Sequence, residues 1–124
     1  MSFIFRRLFS TTPSTMSDAA QQKVKQLIDE NAVVVFSKSY CPYCNNTKRL
    51  LDGYDAKYKA IELNQVDDGE DLQDALKVLT GQRTVPNIFI NKVHIGGNSD
   101  LEVVVKSGKN GKKIEELLTE AGAL

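Results

Sequence analysis

The sequence predicts an α/β fold built as one four-stranded mixed sheet with helices on both faces. Three observations carry this. Ala32–Phe36 (AVVVF) is a short β-branched apolar run with no polar face, as a strand buried on both sides requires. Tyr58–Leu63 (YKAIEL) alternates and lies one helix-length further on, so the two strands and the helix between them read as a parallel βαβ unit with an expected right-handed crossover. Asn87–Ile90 and Val93–Ile95 flank the dipeptide Asn91-Lys92, which marks an antiparallel hairpin.

Each helix has its own signal. Ala20, Val24, Leu27 and Ile28 fall at helical spacing, with Ser17 or Asp18 placed to cap the start of a helix over Ala19–Asn31 and Asn31 to end it. Pro42 suits the first turn of a second helix, which continues through Leu50 and Leu51 to Asp52. Asp68-Gly69 breaks the chain before a third helix over Asp71–Leu79, where Leu72, Leu76 and Leu79 share a face, and Gly81 ends it. Gly96-Gly97-Asn98 leads into a fourth helix from about Ser99 to Lys106, and Lys112–Ala121 forms a last amphipathic one. The hairpin turn lacks glycine, and a tight turn there puts Lys92 at positive φ. The whole order resembles the thioredoxin-like three-layer arrangement.

Composition narrows the function classes. With 124 residues, 41% hydrophobic and 26% charged, the chain is one ordinary globular domain and too apolar for intrinsic disorder. A domain of this size buries roughly two-thirds of its unfolded surface, enough to fold without metal or disulfide support. Sixteen Lys and Arg balance sixteen Asp and Glu, which argues against a general nucleic-acid binder. No apolar stretch approaches the roughly 18 residues of a membrane helix. Two cysteines do not make a disulfide scaffold. The expectation is a small soluble monomer, with no nucleic-acid or membrane partner, whose cysteines do chemistry.

Residues 1–16 differ from the rest. Met1–Thr15 (MSFIFRRLFSTTPST) carries Arg6 and Arg7, many Ser and Thr, and no acid. Without those two arginines the body has fourteen basic residues against sixteen acidic, a net charge of −2. This is the composition of a mitochondrial transit peptide, whereas Phe3-Ile4-Phe5 is too short for the apolar part of a secretory signal. The expected division is a leader or tail over residues 1–16 and a domain over 17–124. Met16, the only methionine after Met1, is a candidate second start giving a cytoplasmic form.

Cys41-Pro42-Tyr43-Cys44 stands between the apolar strand and the second helix, the position of a redox motif beside a βαβ unit. At the helix N-terminus, unpaired N–H groups and the helix dipole favour the Cys41 thiolate, and Lys38 adds positive charge. Thiols in such settings titrate at roughly 3.5–7.5. Cys44, one turn on and deeper, reads as the resolving thiol. A zinc site would need four ligands and finds one further candidate, His94. A structural disulfide would close too short a loop to gain much. Two plain core cysteines fit poorly with the placement beside Lys38.

The chain also resembles the dithiol glutaredoxins with a CPYC site. The resemblance runs from about Ala19 to Leu118 and rests on SKSYCPYC (Ser37–Cys44), GQRTVPNIFI (Gly81–Ile90) and HIGGNSDL (His94–Leu101). It implies that Thr84-Val85-Pro86 is a cis-proline loop whose Val85 backbone pairs with the cysteinyl part of glutathione. It further implies that Gly96-Gly97 lets backbone approach the ligand, that the helix start at Ser99 binds the γ-glutamyl carboxylate, and that Asp100 pairs with the ammonium. Lys38 and Gln73 match the positions that hold the glycine carboxylate, Tyr43 flanks the site, and Arg83 is a further candidate. Read without the resemblance, Gln73 is a solvated helix residue and Ser99 a helix cap. The chain lacks the tryptophan of the thioredoxin motif, and His94 reads as structural.

The implied activity is glutathione-dependent thiol–disulfide exchange on glutathionylated proteins, mixed disulfides and protein disulfides, with glutathione as co-substrate and no metal. Cys41 attacks, a second glutathione regenerates it, and Cys44 is needed for protein disulfides. The alternative is an iron–sulfur module, which some relatives form between two subunits with the first cysteine and glutathione, and which Pro42 disfavours.

Overall fold

The computed structural model describes residues 16–124, so the leader expectation lies outside the described residues except at Met16. The elements are α1 (Met16–Glu30), β1 (Val33–Ser37), α2 (Pro42–Gly53), β2 (Lys59–Glu62), α3 (Gly69–Thr80), β3 (Asn87–Ile90), β4 (Val93–Gly96), α4 (Asn98–Ser107) and α5 (Ile114–Ala121). The four strands form one sheet in the order β2-β1-β3-β4. β1 runs parallel to β2 and antiparallel to β3, and β3 and β4 make the expected hairpin. The expected thioredoxin-like α/β architecture is therefore the observed one.

The two faces of β1 explain the three layers. Val33 and Val35 point into a core with Leu51, Ile88, Ile90, Leu101, Val104, Ile114 and Leu118, beneath α2, α4 and α5. Val34 and Phe36 point the other way, against Val24, Leu72, Ala75, Leu76 and Phe89, beneath α1 and α3. All five residues of β1 are buried, which is why the run shows no polar face in sequence. Phe36 and Phe89 meet edge to face with ring centres 6.0 Å apart. No helix among the described residues is long and apolar enough to cross a membrane.

Three boundaries correct the sequence reading. α1 begins at Met16, so Ser17 and Asp18 lie in its first turn rather than capping it, and the division drawn after residue 16 cuts into the helix. Asp18 near that end suits the helix dipole. α3 begins at Gly69, two residues early: the glycine is no break but a close approach, since a Cβ there would overlap the Leu63 carbonyl. α4 begins at Asn98 with Gly97 as its cap, so Ser99 sits inside the first turn. The hairpin turn behaves as expected, with Asn91 at φ 50° and Lys92 at φ 67°.

Candidate active site

β1 delivers the chain to the reactive turn. The Cys41 N–H donates to the Lys38 carbonyl at 3.0 Å, closing the turn, and Asn64 braces it from the β2–α3 connection. Asn64 Oδ1 accepts from the Ser39 N–H at 3.0 Å, and Asn64 Nδ2 donates to Ser39 Oγ at 2.7 Å. Cys41 is the extended cap residue of α2, and Pro42 opens the helix where its missing N–H costs little. The sulfur of Cys41 is thus left at the helix N-terminus.

The two thiols are unequal. Cys41 is partly exposed and Cys44 fully buried, both in the free form. For Cys41, partial burial raises the pKa, but hydrogen bonds from the Cys44 N–H, the Cys44 thiol and the Tyr43 N–H, with the charge of Lys48, bring it below the ordinary value. For Cys44, burial dominates and pushes the thiol up; the Lys38 N–H and the Ser37 hydroxyl oppose it, while Cys41 adds to it. Lys38, expected to supply charge, is half-buried at the start of the turn and meets Cys44 through its backbone N–H. Lys48 was invisible to a motif search, although it stands seven residues after Cys41 and so on the same face of α2.

Beside the CPYC turn lies an open groove of ≈ 280 Å³ lined by Tyr43, Thr84, Val85, Pro86, Gly97, Asn98, Ser99 and Glu102. Six expected ligand residues (Tyr43, Thr84, Val85, Pro86, Gly97 and Ser99) are brought together here. The Val85–Pro86 peptide is cis. Asp100 is exposed and accepts the Gly97 N–H at 2.8 Å, so it fixes the start of α4 at the groove's end. A Cβ on Gly96 would overlap that carboxylate, and Gly96 itself sits at φ 118°.

Gln73 and Arg83 stand elsewhere. Gln73 is 6% exposed, not a solvated helix residue, and its Nε2 donates to the Arg83 carbonyl at 2.8 Å, supporting the loop before Thr84. Arg83 Nε pairs with Asp74 at 2.8 Å on the surface of α3. His94 is structural as expected: its Nε2 lies 2.8 Å from Asn87 Oδ1 and its ring packs 5.1 Å from that of Phe89. Among the described residues no group of three or more His, Cys, Asp or Glu is placed to hold a metal ion.

Sequence reasoning missed a set of positioning residues. The Asn98 side-chain carbonyl accepts from the buried Thr47 hydroxyl at 2.9 Å and from Asn46 Nδ2 at 3.0 Å, tying the groove's end to α2. Gln82 braces the cis-proline loop. Ser37, Glu62 and Lys48 form a chain of polar contacts behind the cysteines. Only Ser37, Gln82 and Asn98 stand inside the recognised blocks, and their partners, like Asn46, Thr47, Lys48 and Glu62, are met through tertiary contacts.

Comparison with known proteins fits this geometry. Residues 33–95, which span the CPYC turn and the cis proline, match the Glutaredoxin family. The chain is 51% identical over 105 residues to a glutaredoxin of Ricinus communis, covering 85% of this chain and 99% of the relative. Among solved structures, a buckwheat glutaredoxin–glutathione complex superposes with a TM-score of 0.84 at 45% identity, covering 90% of this chain and 99% of that one. The holo form of glutaredoxin C1 from Populus tremula x tremuloides gives 0.76 at 44% identity, covering 84% and 99%. Identity near one half along almost the whole length of such relatives, on the same fold, leaves one assignment: the chain belongs to the glutaredoxins, a family of glutathione-dependent oxidoreductases.

Proposed function

We propose that the protein reduces glutathionylated proteins and small mixed disulfides through Cys41 alone, and protein disulfides through Cys41 and Cys44 together. The observation that carries this is the inequality of the two thiols beside one groove. The exposed, acidified Cys41 supplies the attacking thiolate, and a thiol with a lowered pKa also leaves well when the next thiol attacks it. The Cys41 thiolate attacks the glutathione sulfur of the substrate, a Cys41–glutathione disulfide forms, and the substrate thiolate leaves and takes a proton from water. A second glutathione thiolate then attacks the glutathione sulfur, releasing oxidised glutathione and the Cys41 thiolate. One free glutathione is thus consumed per glutathionylated substrate, and the other half of the released disulfide is the glutathione taken from that substrate.

The groove suits the tripeptide in this reading. The Val85 backbone lies along one wall, Tyr43 forms another, and Ser99 stands in the first turn of α4, where backbone N–H groups receive a carboxylate. Asp100 sits at the same end to pair with the ammonium, and Lys38 serves the glycine carboxylate from the other side of the turn. Gln73 contributes through the Arg83 loop that it supports.

The test is NADPH-coupled turnover of a glutathionylated peptide in the presence of glutathione and glutathione reductase. Cys44→Ser retains most of the activity, and Cys41→Ser has none. An active Cys41→Ser protein, or an inactive wild type, overturns the assignment.

A second reading is an iron–sulfur module; the poplar relative is described in a holo form, that is, with a group bound. Cys41 is the only partly exposed thiol of the two, so one chain does not supply four ligands, and a cluster would draw on a second copy and on glutathione. An absorption spectrum with gel filtration of anaerobic protein decides: a colourless monomer supports the enzyme alone, a brown dimer the module. For the N-terminal segment we retain a mitochondrial leader over residues 1–16 and a cytoplasmic form beginning at Met16. N-terminal sequencing of the protein from each cell fraction tests both.

A further inference from the structure

Asn98 is the first residue of α4 and lines the groove, yet its side-chain carbonyl serves α2. Its Oδ1 accepts from the Thr47 hydroxyl at 2.9 Å and from Asn46 Nδ2 at 3.0 Å. A side-chain carbonyl has two lone pairs, so both are taken, and the amide nitrogen lies on the side away from these donors. Nδ2 carries two hydrogens, and among the described residues neither has an acceptor. Glu102, the acid that lines the groove, is turned to Asn46 instead, at 3.4 Å. Among the described residues no buried side-chain nitrogen or oxygen lacks a partner, so Nδ2 is not sealed in. It is the open edge of a residue only 7% exposed, on the groove that this residue lines.

The backbone beside it has donors to spare as well. The first hydrogen bond within α4 runs from the Leu101 N–H to the Gly97 carbonyl at 3.1 Å, so the N–H groups of Asn98, Ser99 and Asp100 have no acceptor inside the helix. The Gly97 N–H is already taken by Asp100 at 2.8 Å. Donors therefore collect at one end of the groove, together with the positive end of the helix dipole.

We propose that Asn98 Nδ2 donates to the α-carboxylate of the γ-glutamyl residue of glutathione, which makes Asn98 a specificity-determining residue. The inference rests on the oxidoreductase reading and deepens it by naming the ligand group that this side chain recognises. A helix start alone takes any small anion, whereas a side-chain donor fixed from behind accepts one direction of approach. Hydrogen bonds to charged groups are the strong ones, and a ligand without the carboxylate leaves the donor unpaired. Thr47 and Asn46, which fix the amide, stand on α2, the helix that carries Cys41 at its start. The same side chain thus joins the carboxylate end of the groove to the helix of the nucleophile.

The experiment is coupled turnover, by the full chain, of one peptide carried as three mixed disulfides. One is with glutathione, one with the analogue whose γ-glutamyl α-carboxylate is an amide, and one with the analogue whose glycine carboxylate is an amide. Asn98→Asp is the decisive variant. It is nearly isosteric and its carboxylate accepts the same two donors from α2, but the NH2 group becomes an anionic oxygen that faces the ligand. For the glutathionylated peptide KM rises about tenfold or more while kcat stays within about threefold. Amidation of the γ-glutamyl carboxylate raises the wild-type KM, and against that analogue Asn98→Asp loses its disadvantage. Amidation of the glycine carboxylate leaves the effect of the variant at full size. A KM within about twofold of wild type for the glutathionylated peptide, or an equal effect of the variant on all three disulfides, overturns the assignment of Asn98 while leaving the oxidoreductase reading intact. Absence of turnover of the glutathionylated peptide by the wild type overturns that reading and the inference with it. Circular dichroism verifies folding, and if Asn98→Asp is unfolded the same comparison with Asn98→Ser decides, since serine keeps an oxygen for α2 and adds no charge; the expected rise in KM is then about fivefold.

Discussion

The side-chain amide nitrogen of Gln82 donates to carbonyl oxygens on both sides of Val85, that of Thr84 and that of Pro86, each at 3.0 Å. Gln82 is itself anchored twice. Its N–H donates to Thr80 Oγ1 at 3.0 Å, and its carbonyl accepts from Asn87 Nδ2 at 3.3 Å. The loop wall of the groove is thus held by a residue that lines none of it.

Gln82→Ala therefore loosens the Val85 backbone without touching the thiols. A net hydrogen bond contributes about 1 kcal/mol, so KM for a glutathionylated peptide rises about fivefold while kcat falls little. Steady-state kinetics with the coupled assay measure the split. An unchanged KM would show that the loop holds its shape unaided.

Cys41 reactivity follows its protonation. Alkylation by iodoacetamide rises with pH to a plateau whose midpoint lies below the ordinary thiol value of 9.0. Partial burial works against this, and the hydrogen bonds from Cys44 and Tyr43, with Lys48, outweigh it. Lys48→Met removes the cation and moves the midpoint upward. A midpoint that stays in place would show that the Glu62 partner already screens the lysine from the sulfur.

His94 makes stability depend on pH. Burial lowers its pKa below 6.5, and of the two smaller charge effects Asp100 opposes and Lys109 reinforces the shift. The folded state then binds fewer protons than the unfolded state as pH falls below about 6.5, so its contribution is complete above that value and is lost as pH drops toward the folded pKa. Urea midpoints measured between about pH 5 and pH 8 decline on the acid side, and His94→Gln flattens that part of the curve. An equal decline in His94→Gln would assign the effect to other groups.

How much could be seen in the sequence depended on how local each feature is. The periodicity of Leu72, Leu76 and Leu79, the apolar run of β1 and the turn residues Asn91 and Lys92 all act within a few positions, and each element was found. Gly69 was misread because its role is defined by Leu63, which approaches from the preceding connection. Cys41, Cys44, Val85 and Pro86 were legible as motif. The roles of Gln73, Asn98 and Glu62 come from partners ten, 51 and 25 residues away, a kind of information that one chain read in order does not carry.

The placement of β1 has a kinetic consequence. It is an interior strand of the sheet, paired on both edges and covered on both faces. Its amides are therefore released to solvent only when the whole domain opens, whereas those of the 38–43 turn exchange through local fluctuation. The slowest-exchanging segment of the protein ends at Ser37, four residues before the nucleophile. Hydrogen exchange followed by mass spectrometry would show protection falling beyond that residue, so the reactive sulfur stands at the margin of the most protected part of the chain.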